Sequence, residues 1–215
     1  MISASVFGTG EAGFGDVAQH SRSLEAWHTY ILRLKVVMPS TPYDAKGLLK
    51  ASIREDNPVI FIEHRLLYSS KGAVPEDDDY VIPIGKADIK REGKDVTIIT
   101  WSRMVKDSLQ AANELEKEGI DVELVDLRTL KPLDLETILK SAKKTGRVVI
   151  VHEACKTGGY GGEIATLIME NAFDYLDAAI KRVTARDTPI PYAAHLERAV
   201  IPNPDWIIEG VKELM

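Results

Sequence analysis

The sequence predicts an α/β protein of two units, the second a parallel sheet with helices on both faces. Three observations lead there. A βαβ unit can be read from Leu34 to His64, strand and helix patterns alternate regularly from Val96 to the C-terminus, and a polar, acidic stretch between Tyr68 and Gly93 separates the two regions.

In the first unit, Leu34 to Met38 is a short apolar, β-branched run that reads as a strand. Thr41 then sits as an N-cap, with Pro42 at the first helical position and Asp44 three residues after the cap. These residues put acceptors and negative charge where a helix start leaves N–H groups without partners. Ala45, Leu48, Leu49 and Ile53 recur at helical spacing, the pattern stops in Arg54-Glu55-Asp56-Asn57-Pro58, and Val59 to Ile62 reads as a buried strand. Ser69 to Gly72 and Pro75 to Asp79 form a polar loop, and the charge-rich stretch from Lys86 to Gly93 continues it. The expected division is 1–70, a linker 71–92, and 93–215, with few core contacts crossing the linker. The second unit reads as strand Val96–Trp101, helix Met104–Glu118, strand Val122–Val125, helix Leu135–Lys144, strand Val148–His152, helix Glu163–Leu176, strand Ile180–Thr184 and a last helix from about Asp205 to Leu214. In the first of these helices Val105, Leu109, Ala112 and Leu115 share one face, and Gly119 is placed to cap it.

With 215 residues, 45% of them hydrophobic and 28% charged, the chain has the composition of a globular protein with room for two modest domains. Its net charge of −6 and the interleaving of basic with acidic residues give no electrostatic reason to bind nucleic acid or an anionic membrane. No apolar run reaches about 18 residues, and MISASVFGTGEAG lacks the charged region and apolar core of a signal peptide, so a cytoplasmic location is expected. Cys155 is the only cysteine, which excludes an intrachain disulfide.

Four blocks carry a resemblance. Gln19-His20-Ser21-Arg22-Ser23-Leu24-Glu25-Ala26-Trp27, the βαβ unit, Ile82 to Val105 with Val125 to Asp134, and Gly146 to Ala165 follow one another in a fixed order. Together they resemble the beta subunit of the thiamine-diphosphate-dependent 2-oxo acid dehydrogenases, with Arg22 where that family has glutamine. The resemblance runs from about Gln19 to the C-terminus. It implies an α/β fold with part of a pyrimidine-type thiamine-diphosphate-binding domain followed by a transketolase C-terminal-like domain. It also implies the beta subunit of a pyruvate, acetoin or branched-chain 2-oxo acid dehydrogenase, with oxidative decarboxylation of pyruvate or a related 2-oxo acid and transfer of the acyl group to a lipoyl group. The implied partners are an alpha subunit, a second beta subunit and a lipoyl transacylase. Thiamine diphosphate lies at the α/β interface in such enzymes, with magnesium held by the alpha subunit. The glutamate that activates the cofactor ring has no counterpart here, since Glu11 does not lie at the matching position. The chain is accordingly read as a partial subunit, inactive by itself.

His20 is the chemical candidate, because a histidine titrates near neutral pH and can pass a proton. The resemblance places it in proton transfer as the acyl group moves to the lipoyl group. The turn from Ser52 to Pro58 is the second candidate. A helix end leaves carbonyls without intrahelical partners, and the resemblance implies a potassium ion held by the main-chain oxygens of Ser52, Ile53, Glu55 and Asn57; a plain helix-to-strand turn is the alternative. Gly8-Thr9-Gly10-Glu11-Ala12-Gly13 matches a dinucleotide fingerprint in spacing, but neither a buried strand before it nor an apolar helix after it is expected. Gly158-Gly159-Tyr160-Gly161-Gly162 follows a strand and opens a helix, where either an anion site or a tight, closely packed turn can form. Glu153 beside it reads as a loop or interface group. His28, His64, His152 and His195 share no metal-ligand spacing. Two other readings remain: a fragment of a transketolase or deoxyxylulose-phosphate synthase, and a non-catalytic assembly module.

Overall fold

The capped βαβ unit is present in the computed structural model, which describes residues 4–8, as backbone, and residues 23–215. Strands β1 (Ala4–Gly8), β2 (Lys35–Val37) and β3 (Val59–Glu63) run parallel in the order β1–β3–β2, and helix α1 (Glu25–Tyr30) precedes β2. Helix α2 (Pro42–Ile53) starts as the sequence predicts: Thr41 is extended, and its hydroxyl accepts the Asp44 N–H at 3.1 Å. Alternation along the strands sends Val36, Ile60 and Ile62 to one face and Val37, Val59 and Phe61 to the other, where Leu48 of α2 and Ile82 cover them. The expectation that no strand precedes Gly8 is corrected. Ala4–Gly8 pairs residue for residue with Val59–Glu63, a partner more than fifty residues away that a local pattern does not reveal.

Residues 71–87 contain no helix or strand, but they are not a free tether. Ile82 is buried against α2, and its N–H donates to the Gly47 carbonyl at 3.2 Å. A side chain at position 47 would collide with Ile82, its Cβ falling 2.6 Å from that residue.

The second unit comprises β4 (Asp88–Arg91), β5 (Val96–Thr100), α3 (Met104–Lys117), β6 (Val122–Asp126), β7 (Thr129–Lys131), α4 (Leu135–Thr145), β8 (Val148–Cys155), α5 (Gly161–Ala172), β9 (Lys181–Ala185), α6 (Ala194–Arg198) and α7 (Pro204–Lys212). Its sheet has the order β4–β6–β5–β8–β9. The pairs β6–β5, β5–β8 and β8–β9 are parallel, as expected. Helices α3 and α7 cover Val96, Ile98, Val149 and Val151, while α4 and α5 cover Ile99, Val148 and Ile150. Asp134 and Asn203 cap α4 and α7 by accepting the N–H groups of Thr137 and Trp206. Gly119 follows α3 with φ +84°, a left-handed conformation that glycine adopts without strain.

Three expectations change. The linker 71–92 gives up its end to β4, an antiparallel edge strand on β6, so the sheet is mixed. Strand β7 leaves the second unit altogether and pairs antiparallel with β2, extending the first sheet to β1–β3–β2–β7. The prediction of few core contacts across the boundary is therefore wrong: Val36, Met38, Ile60 and Ile62 share one apolar cluster with Trp101, Leu127, Leu130 and Ile150. The reason is physical. A three-strand sheet with one covering helix leaves its other face bare, and the second unit is the apolar surface available to bury it.

Candidate functional site

Two buried polar clusters lie where the units meet. In the first, Asp44 of α2 faces Asp126 at the end of β6, and both are fully buried. Lys90 of β4 lies 3.0 Å from Asp44, 3.6 Å from Asp126 and 2.7 Å from Asp88. Arg128 reaches Asp44 at 3.3 Å and donates to the carbonyls of Lys86 and Ala87 at 3.1 and 3.0 Å. The Ser40 hydroxyl donates to Asp126 at 2.5 Å. Burial pushes the Asp44 carboxyl up, but the Thr41 hydroxyl, Lys90 and Arg128 outweigh it and hold that carboxyl below its usual range. Burial dominates at Asp126, raising it to about 7 against the pull of Lys90 and Ser40. Arg128 takes a left-handed φ of +54°, a conformation uncommon for a side chain of its size and offset here by the bonds its guanidinium makes.

The second cluster sits at the carboxyl ends of β3, β5 and β8, the edge where open α/β sheets place ligands. His64 Nδ1 accepts the Leu66 N–H at 3.2 Å, so Nε2 carries the ring proton and donates it to Glu153 Oε2 at 2.9 Å. Arg103 donates to the other oxygen of Glu153 at 2.9 Å and lies 3.6 Å from Asp107. Glu25, at the start of α1, is 1% exposed. Burial raises its carboxyl to about 7, with the charge on Glu153 adding to the shift and a Trp101 indole hydrogen bond opposing it. Beside this cluster opens a cleft of about 600 Å³ whose lining includes Ser23, Trp27, Glu153, Cys155 and Gly159. Glu153 thus belongs to strand β8 and bridges the units, which corrects the loop assignment.

The other candidates divide. His20 and the fingerprint residues after Gly8 lie outside the described residues. Around the Ser52–Pro58 turn, Arg54 N–H donates to Lys50 O at 3.2 Å and Glu55 N–H to Ser52 O at 3.4 Å. The turn therefore already uses one of the four oxygens, although a carbonyl keeps a second lone pair. The Glu55 carboxyl is held down to about 2, first by Lys35 at 2.5 Å and then by Asn57. In the glycine segment the close-packing reading fits. Cβ atoms at Gly159 and Gly161 would fall 2.5 and 2.6 Å from His152, a fully buried ring stacked on Trp101. Burial lowers that imidazole to about 4. Among the described residues, no group of three or more His, Cys, Asp or Glu side chains is arranged to hold a metal ion. The buried aspartates are matched to Lys90 and Arg128 instead, so a magnesium pyrophosphate does not fit these residues. No helix among the described residues is long and apolar enough to cross a membrane.

Sequence reasoning missed Glu25, Arg103, Lys90, Asp126 and Arg128 as cluster members. A charged residue inside an otherwise apolar stretch, such as Glu25 or Asp126, was the available signal.

Two sheets sharing a core, the smaller completed by a strand that follows β6 of the larger along the chain, invite comparison with known proteins. The family "Transketolase, pyrimidine binding domain" matches residues 3–71, and "Transketolase, C-terminal domain" matches residues 85–207. The chain belongs to the transketolase-like family. Among the curated members, the beta subunit of the pyruvate dehydrogenase E1 component of Rhizobium meliloti is 52% identical over 91% of this chain and 42% of its own length. The 2-oxoisovalerate dehydrogenase beta subunit of Bacillus subtilis is 51% identical over 91% of this chain and 60% of its own length. The transketolase-like chain thus spans about half the length of these relatives. A solved structure, a split-gene transketolase described as an inactive beta4 tetramer, superposes with a TM-score of 0.78 at 25% identity, covering 99% of this chain and 65% of that one.

Proposed function

We propose that the chain forms part of the beta subunit of a thiamine-diphosphate-dependent 2-oxo acid dehydrogenase, acting on pyruvate or a related 2-oxo acid and passing the acyl group to a lipoyl group. One observation carries this reading. Identity is about twice as high to the two dehydrogenase beta subunits as to the split-gene transketolase, over nearly the same residues. When bound, thiamine diphosphate supplies the carbanion chemistry of decarboxylation. This chain's part is to fix the seam between its two units and to supply His20. The proposal includes an alpha subunit that holds magnesium, a second beta subunit, a lipoyl transacylase and a cytoplasmic location.

The test is to place the chain within a beta subunit of its relatives' full length, pair it with an alpha subunit, and assay 2-oxo acids and acetoin with an artificial electron acceptor. Turnover of pyruvate, 2-oxoisovalerate or acetoin is expected. Turnover of phosphosugars instead would establish the transketolase reading, and assembly without any turnover would establish the assembly-module reading.

Potassium at the Ser52–Pro58 turn is part of the same proposal. A ligand that binds only the folded state raises stability by RT ln(1 + [L]/Kd), about 1.4 kcal/mol when [L] is roughly ten times Kd. The chain should therefore melt higher in potassium chloride than in sodium chloride of equal concentration. Identical midpoints would leave the plain turn.

A further inference from the structure

Among the described residues, the cluster around Glu153 does not balance its charge. Three carboxylates, Glu25, Glu153 and Asp107, face one guanidinium, Arg103, and one imidazole, His64, while Lys106 next to Asp107 is exposed. Glu153 has both oxygens occupied, one by Arg103 and one by His64, and Asp107 has Arg103 at 3.6 Å. Among the described residues Glu25 has no cation partner, and its carboxyl accepts hydrogen bonds from the Trp101 indole and from its own backbone N–H. Its Oε2 is buried without a hydrogen-bond partner among the described residues, and so is the hydroxyl of Ser102. Both residues line one cavity of about 10 Å³, together with Ser23, His64, Arg103 and Glu153. That is roughly the volume one water molecule needs, and such a water requires two to four polar partners. Ser102, at φ +53°, holds a left-handed backbone at this spot, a strain of the kind that gathers at functional sites.

We propose that Glu25 is a proton-carrying positioning residue, joined through a single buried water to Ser102 and to the Glu153–His64 pair, and that it ties the start of α1 to the second unit. The arrangement explains why an acid stands at a fully buried helix start. Neutral, its carboxyl accepts the indole N–H on one oxygen and donates its proton to the water from the other. Ionised, it adds an unpaired charge beside Glu153. The inference rests on this chain's own residues and holds whichever substrate the assembled enzyme uses.

The sign of the pH dependence follows. A carboxyl whose folded value lies above its unfolded one contributes most below the unfolded value, here 4.5, and the contribution is lost as pH rises to about 7. Glu25→Gln keeps the shape and cannot ionise. The melting midpoint of the 215-residue chain carrying this variant, relative to wild type, should therefore rise between about pH 5 and about pH 8 and then level off. A difference spectrum in the infrared, wild type minus Glu25→Gln at pH 6, should show a protonated carboxyl band. Trp101→Phe removes a hydrogen bond that favours the ionised form and should move the titration to higher pH, which a packing role for Trp101 would not do. If Glu25→Gln does not fold, the wild-type and Trp101→Phe titrations of isotope-labelled glutamate carry the test. A constant offset across the pH range, or a carboxylate band at pH 6, would overturn the proposal.

Discussion

Arg128→Ala should destabilise the folded chain by about 3–5 kcal/mol, the usual cost of removing one partner from a buried ion pair. Arg128 makes three hydrogen bonds at once, one to Asp44 and two to the carbonyls of Lys86 and Ala87, and also lies 3.9 Å from Asp88. Its loss leaves Lys90 alone to balance Asp44 and Asp126, both fully buried. Urea unfolding at neutral pH measures the effect. Making Asp44→Asn first should shrink it, because the two residues then no longer form a charge pair, and the double-mutant cycle isolates that interaction. A loss below about 1 kcal/mol would mean that the cluster is open to water and worth no more than a surface pair.

In the assembled enzyme, His20→Ala should lower the overall rate by roughly 10²–10⁴, the contribution of a positioned acid or base. The loss should be selective. Assay with an artificial electron acceptor bypasses transfer to the lipoyl group and should suffer less. A histidine that only supports structure would lower both rates together through stability or assembly. Both activities must be measured on protein that assembles and melts like wild type. Equal losses, or none, remove His20 from proton transfer.

What was legible in the sequence was local. Thr41, Pro42 and Asp44 announce the start of α2 because a cap is made by neighbours along the chain, and the strands β5 and β8 announce themselves by the β-branched runs Val96–Thr100 and Val148–Val151. Strand β7 did not. Its three residues follow β6 after one tight corner, and they become a strand only because β2, some ninety residues earlier, offers an edge. The same holds for the clusters. Asp44 reads correctly as a capping residue, yet nothing nearby says that Lys90 and Arg128 will reach it; Glu25 sits in a segment quoted for its resemblance, while its environment is set by Trp101 and Glu153. Helix α1, six residues long, is too short to display a period. His20 rests on resemblance and chemistry alone.

The exchange of β7 changes what the peptide between the units is for. Residues 71–87 join two bodies that are already held by a strand ladder and a common core, so beyond the contacts of Ile82 and of the Lys86 and Ala87 carbonyls the covalent link supplies mainly proximity. Closure entropy grows slowly with length, about 0.6 kcal/mol for each doubling. Insertions on the solvent side of that peptide, away from Ile82, are therefore cheap. The reverse holds for Thr129–Lys131: shortening or breaking this strand would remove the ladder and leave the common core to hold the two units in register. The molecule is fastened crosswise, and a domain boundary drawn along the sequence cuts through the β2–β7 ladder.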